Sequence, residues 1–167
     1  MTVAWPLLAE PQTPAVPVVV VTRSETGRSI DTAGITGRGI VRPFRRDLKR
    51  DFANGTGVEL VASEIAQALG TVAQNELSSG ELPWRTEFGC ILHLLRLQNL
   101  TPVLAAKAQA FVARALRQWV PRVRITSIRV ERSVEQTALI IRLRWTLIAE
   151  GTERVLVSGL ETEIALG

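Results

Sequence analysis

The stretch A-L-R-Q-W-V-P-R-V-R-I-T-S-I-R-V, residues 115–130, decides the fold, because two periodicities meet inside it. Upstream, Leu104, Ala108, Phe111, Val112, Ala115, Leu116 and Trp119 recur at spacings of three and four, which builds one buried helical face. Thr101 and Pro102 start that helix: threonine caps the first turn, and proline fits its first position. Pro121 stops it, since its ring lacks an N–H and clashes with the preceding turn. Beyond Pro121 the period becomes two. Val123 and Ile125 share one parity and Ile128 and Val130 the other, so a β-bulge near Ser127 is expected.

Two more strands follow. Leu139, Ile141, Leu143, Trp145 and Leu147 alternate with Ile140, Arg142, Arg144, Thr146 and Ile148, the clearest core-facing strand of the chain. The sequence E-G-T-E at 150–153 reads as a tight turn, and 154–164 as the last strand. The last strand has apolar residues on both faces, which suits helices on one side and a partner over part of the other. The expected fold class is α+β. Two principal helices and a short one pack on a three-stranded antiparallel sheet, with an extended N-terminal arm. The outer edge of such a sheet needs protection or a strand from another chain.

Towards the N-terminus, Thr56 and Glu59 have capping-box spacing at the start of the other principal helix. Val58, Val61, Ile65, Leu69 and Val72 give its stripe, and its expected end is near Leu77; Glu59, Glu64 and Gln67 face water. In E-L-P-W-R-T-E-F-G, residues 81–89, Trp84 and Phe88 read as core anchors, and Gly89 as a position of positive φ or close backbone approach. The apolar run from Cys90 suits a short helix with Ile91, Leu94 and Leu95 on one side.

Before these, Phe44, Leu48 and Phe52 recur every four residues, as in a short helix docked on the core. Arg38, Arg42, Arg45, Arg46, Lys49 and Arg50 surround them, a candidate basic contact surface. Residues 18–21 form a β-branched run that suits a strand. Pro6, Pro11, Pro14 and Pro17 make the first seventeen residues an extended arm.

The totals bound the function. An apolar share of 46% in 167 residues supports one domain with a core. The longest apolar runs are too short for a membrane span, and the start M-T-V-A-W-P lacks the features of a cleaved signal. One cysteine excludes an internal disulfide and a cysteine-rich zinc site. Cys90 and His93, three apart in an apolar run, read as core residues rather than a nucleophile and its base. Neither a metal nor a cofactor site is expected. Net charge is +4, and eighteen of the twenty basic residues are arginine, whose planar fork suits carboxylates as well as phosphates. Without a recognisable reading element, a protein partner is favoured over nucleic acid; a nucleic-acid module using the basic 38–50 segment is the alternative. Glu81 and Glu87 flank Trp84, an arrangement that invites a sugar-hydrolase reading, but no complete two-carboxylate site accompanies them.

Four stretches in order carry a resemblance: G-R-G-I-V-R-P-F, V-E-L-V-A-S-E-I-A-Q-A-L-G-T, E-L-P-W-R-T-E-F-G and A-L-R-Q-W-V-P-R-V-R-I. Together they resemble the GPW or gene 25-like family of baseplate wedge proteins, found in contractile phage tails, type VI secretion and extracellular injection systems. The resemblance implies a non-enzymatic wedge domain over 37–167, following an arm over 1–36. It implies assembly in the cytoplasm and final residence in a baseplate. The implied partners are other wedge subunits and the contractile sheath protein, with central spike or hub proteins as further candidates, and sheath assembly begins through strand-mediated contacts. The family motif Glu-Pro-Arg maps onto Val120, Pro121 and Arg122, so the glutamate is replaced. The resemblance points to Pro121 and Arg122 as interface residues; Arg124, Arg85 and Glu87 join them by proximity and charge, and Arg42, Arg45 and Arg46 by their clustering in the basic segment. Trp84, Phe88, Phe111, Trp119 and Trp145 are the expected core anchors.

Overall fold

The computed structural model describes residues 19–23, 37–42, 44–95, 98–99, 101–132, 139–149 and 154–166. The proline-rich arm over 1–17 and the turn expected at 150–153 lie outside them. In order the elements are β1 (Val19–Arg23), β2 (Arg38–Ile40), β3 (Asn54–Thr56), α1 (Gly57–Gly70), a 3-10 helix (Leu92–Leu95), α2 (Pro102–Trp119), β4 (Val123–Arg132), β5 (Leu139–Ile148) and β6 (Val155–Leu166).

The antiparallel meander β4-β5-β6 is as the alternation dictates. The sheet has four strands rather than three, because β1 pairs antiparallel with β6, from Val19 opposite Ile164 to Arg23 opposite Leu160. The main sheet is therefore ordered β1-β6-β5-β4, and β2 and β3 form a separate two-stranded sheet. The expected bulge in β4 is present, with the register shifting between Ile125 and Ser127. Strand β6 shifts twice against β5, and Gly159 sits in the wider of these irregularities at φ 73°, a conformation that favours glycine. The paired shifts leave Leu156, Leu160, Thr162 and Ile164 all on the buried side.

One core holds the layers together. Leu139, Ile141, Leu143, Trp145 and Leu147 of β5 pack in it with Val61, Ile65 and Leu69 of α1 and Ala108, Val112 and Leu116 of α2. The Trp145 indole N–H donates to Thr162 Oγ1 at 2.9 Å inside this core. The opposite face carries an ion-pair ladder. Arg142 reaches Glu131 at 3.3 Å and Glu163 at 3.1 Å, and Arg144 reaches Glu161 at 3.7 Å.

Helix α2 begins as read, with the Thr101 side chain accepting from the Leu104 amide at 3.2 Å. Helix α1 departs from its reading at both ends. Thr56 makes no side-chain cap bond, and Glu59 pairs instead with Arg45 at 3.5 Å. The helix stops at Gly70 rather than near Leu77, because the following backbone bonds elsewhere: Thr71 O accepts from Cys90 N, and Val72 O from Glu81 N. The short helix after Cys90 is 3-10, with three residues per turn, so Leu95 is buried as read but is joined by Leu92, three residues before it, rather than by Ile91 and Leu94.

The segment over 41–53 is the largest correction. It is no helix. It continues β2 and β3 outward as a hairpin, with an Arg46–Phe52 bridge and a turn closed by Asp47 N to Asp51 O at 2.8 Å. Phe44, Leu48 and Phe52 are exposed instead of docked on the core. Their four-residue spacing arises because Phe44 lies two positions before Arg46, the residue opposite Phe52. Both rings therefore share one hairpin face, with centroids 5.6 Å apart.

Candidate interaction surfaces

Three places concentrate the residues singled out in the sequence. The first is the loop over 71–90, pinned by its own backbone. Cys90 N donates to Thr71 O at 2.9 Å, Ala73 N to Cys90 O at 3.2 Å, and Gln74 N to Thr86 O at 2.7 Å. Gly89 makes this packing possible. Its φ is 116°, and a Cβ there would sit 2.3 Å from Thr71 O. Successive turns, Arg85 N to Leu82 O and Phe88 N to Arg85 O, send Phe88 inward and Trp84 outward.

Phe88 meets Trp119 at the end of α2, with ring centroids 5.1 Å apart. Arg85 lies over both rings, 4.7 Å from Trp119 and 5.4 Å from Phe88, so its cation is held by aromatic faces. Phe88, Phe111 and Trp119 are partly buried against the core, and Trp145 is wholly buried. Trp84 is not a core anchor. It is 81% exposed, at the centre of the turn that Arg85 N closes on Leu82 O. Glu87 is exposed on the same loop, and Glu81 turns back to accept from Val72 N at 3.0 Å. That bond gives Glu81 a structural task in the loop.

The second place is the end of α2. Pro121 is exposed and Arg122 half-buried. Arg122 Nη2 donates to both carboxylate oxygens of Glu64 on α1, at 2.7 and 3.0 Å. Glu64 therefore does more than face water: it supplies a carboxylate to Arg122. Val120 itself is buried. Arg124 points to the exposed side of β4. Nothing in the local sequence could have found Glu64, which lies 58 residues before Arg122.

The third place is the hairpin. Arg42 donates its backbone N–H to Ser63 Oγ of α1 at 2.7 Å and lays its guanidinium 4.8 Å from the Phe44 ring. Arg45 pairs with Glu59, and Arg46 lies across from Phe52.

The residues that could have carried chemistry are placed as structure. Cys90 is buried, and burial pushes its thiol up to about 11, so it stays protonated near neutrality and is a poor nucleophile. His93 Nε2 lies 3.2 Å from Asn75 Nδ2. Among the described residues no group of three His, Cys, Asp or Glu could hold a metal ion, and no helix is long and apolar enough to cross a membrane.

Comparison with known proteins agrees with this architecture. Residues 56–152 match the family described as baseplate wedge protein gp25. The baseplate wedge protein gp25 of Enterobacteria phage T4 is 24% identical over 105 residues, covering 63% of this chain and 75% of that protein. A chain in the cryo-EM structure of the anti-feeding prophage baseplate superposes with a TM-score of 0.61 at 17% identity, covering 72% of this chain and 92% of that one. The family match spans more than half of the sequence and includes both principal helices, the Trp84 loop and the Arg122 joint. The chain belongs to the baseplate wedge protein gp25 family, and it is a structural wedge component of a contractile tail or injection system.

Proposed function

We propose that the chain acts as a rigid joint within the wedge. Trp84 anchors a neighbouring wedge subunit, and the Arg122 region supports the same contact. An edge of the main sheet accepts a strand from the contractile sheath protein and so starts sheath assembly. The observation that carries the reading is Trp84 itself. A large aromatic side chain is 81% exposed on a loop that backbone bonds and Gly89 hold in one shape. Tryptophan is among the residues enriched at interface hot spots, and a preorganised loop lowers the cost of binding. Arg85, stacked on Phe88 and Trp119, ties this loop to the end of α2, three residues before Arg122.

Co-expression with the other wedge subunits and the sheath protein tests the reading. Trp84→Ala is expected to weaken recovery in wedge subcomplexes by roughly thirtyfold or more, corresponding to about 2 kcal/mol or more at an interface anchor. Its melting temperature should stay at the wild-type value, because an exposed side chain contributes little to the core. Equal recovery of Trp84→Ala and wild type would remove the anchor.

A further inference from the structure

We infer that the hairpin over 37–56 is a second, separate docking element, whose Leu48 tip seats in an apolar slot rimmed by carboxylates on another protein subunit of the baseplate. This rests on the wedge reading but does not involve Trp84, Arg122 or the sheet edge. Charge is the first observation. The hairpin holds six basic residues against two acidic ones, so it alone carries the chain's whole net charge of +4, and the remainder of the chain is balanced. Its two acids are engaged by the turn. Asp47 Oδ1 accepts from the Lys49 and Asp51 amides at 2.8 and 3.0 Å, and Asp51 Oδ1 from the Phe52 amide at 2.7 Å.

Apolar exposure is the second. Leu48 is wholly exposed at the tip, and Phe44 and Phe52 are each more than half exposed behind it. A solvated basic face has no use for a leucine at its most protruding point. The base of the hairpin is anchored, with Val41 buried and Arg42 bonded to Ser63, so the tip is presented from a fixed support.

The turn supplies the third. Arg50 has φ 66°, the one described non-glycine residue with positive φ. It occupies the left-handed position of a three-residue hairpin loop, where glycine is favoured. The chain keeps a strained cation where glycine would relax the backbone, as expected for a residue selected for contact.

These features specify the occupant. A second copy of this chain is a poor fit, because its sheet-face acids Glu131, Glu161 and Glu163 already hold Arg142 and Arg144. Nucleic acid would use the cations and stack on free rings. Here Phe44 packs on Phe52 and has Arg42 over its face, while Leu48 would gain nothing from a phosphate backbone. A carboxylate-rimmed apolar slot satisfies leucine and arginines together.

Full-length variants co-assembled with the baseplate subunits, read across a salt series, test this. Arg46→Glu combined with Arg50→Glu should reduce incorporation at low salt by at least tenfold, and Leu48→Ser should reduce it at every salt concentration. Arg50→Gly should raise the melting temperature yet still weaken incorporation, which separates contact from folding. A photo-crosslinker at position 48 should capture one subunit within a segment rich in Asp and Glu. Wild-type incorporation by all three variants would overturn the hairpin proposal alone. So would hairpin-dependent binding of the purified chain to duplex DNA or to phosphatidylglycerol vesicles. A wild-type chain that never enters a baseplate would overturn the wedge reading and this proposal together.

Discussion

Trp145 shows how one buried residue sets demands on its neighbours. Its ring fills the centre of the core, and its indole N–H cannot reach water, so Thr162 must supply an acceptor from the adjacent strand. Thr162→Val preserves shape and removes that acceptor, and is expected to cost about 1–3 kcal/mol through the unpaired donor. Trp145→Ala should cost about 3–5 kcal/mol through the cavity left behind. Urea unfolding of both measures the two costs, and a Thr162→Val variant as stable as wild type would show the bond to be dispensable. Cys90 makes a different demand. Burial raises its thiol from the ordinary 9.0 to about 11. As pH rises through 9, the unfolded chain releases a proton that the folded chain keeps. The thiol's contribution is therefore fully present below pH 9 and is lost as pH climbs towards 11. Stability measured between pH 8 and 11 should fall more steeply for wild type than for Cys90→Ala, and equal slopes would mean that the thiol is not protected.

At the scale of elements, legibility in the sequence followed the range of the interactions. Strand β5 could be read because its burial alternates residue by residue, and α2 because Thr101 and Pro121 mark its ends within the local chain. The end of α1 could not be read: the apolar stripe continues through Val72, but the backbone there bonds to residues 81 and 90 across a loop. The hairpin was hidden because residues on one face of a twisted ribbon can mimic helical spacing. Trp84 misled for a simpler reason, since composition cannot distinguish an aromatic that packs from one that is presented. The Arg122–Glu64 pair joins the turn after α2 to the middle of α1 across 58 residues and is equally invisible. Its worth can be argued from its setting. Nη2 of Arg122 meets both oxygens of Glu64, but the pair is partly solvated, so screening limits its coupling to about 1 kcal/mol. A double-mutant cycle with Arg122→Ala and Glu64→Ala should yield a coupling of that size in stability. Additive single effects would mean that the pair does not brace α1 against the end of α2.

For the whole molecule the sheet offers two unequal edges, β1 and β4. At the β4 end, side chains already occupy backbone acceptors. Gln109 of α2 donates to Ile128 O at 3.1 Å, and Arg132 at the strand's end turns away to Gln98 O at 2.7 Å. A docking strand there would have to displace the Gln109 contact and pass beside the helix that packs against β4. The β1 end consists of a five-residue strand paired on one side with β6, leaving its other side as the terminal edge of the described sheet. Main-chain pairing at an open edge is the ordinary route by which one chain templates a strand of another. Strand addition by the sheath protein is therefore expected at β1. Hydrogen exchange on the wedge complex, with and without sheath protein, distinguishes the edges. Protection should rise at the amides of residues 19–23 and stay constant along β4. Protection gained along β4 instead would place the added strand beside α2 and require Gln109 to give up Ile128.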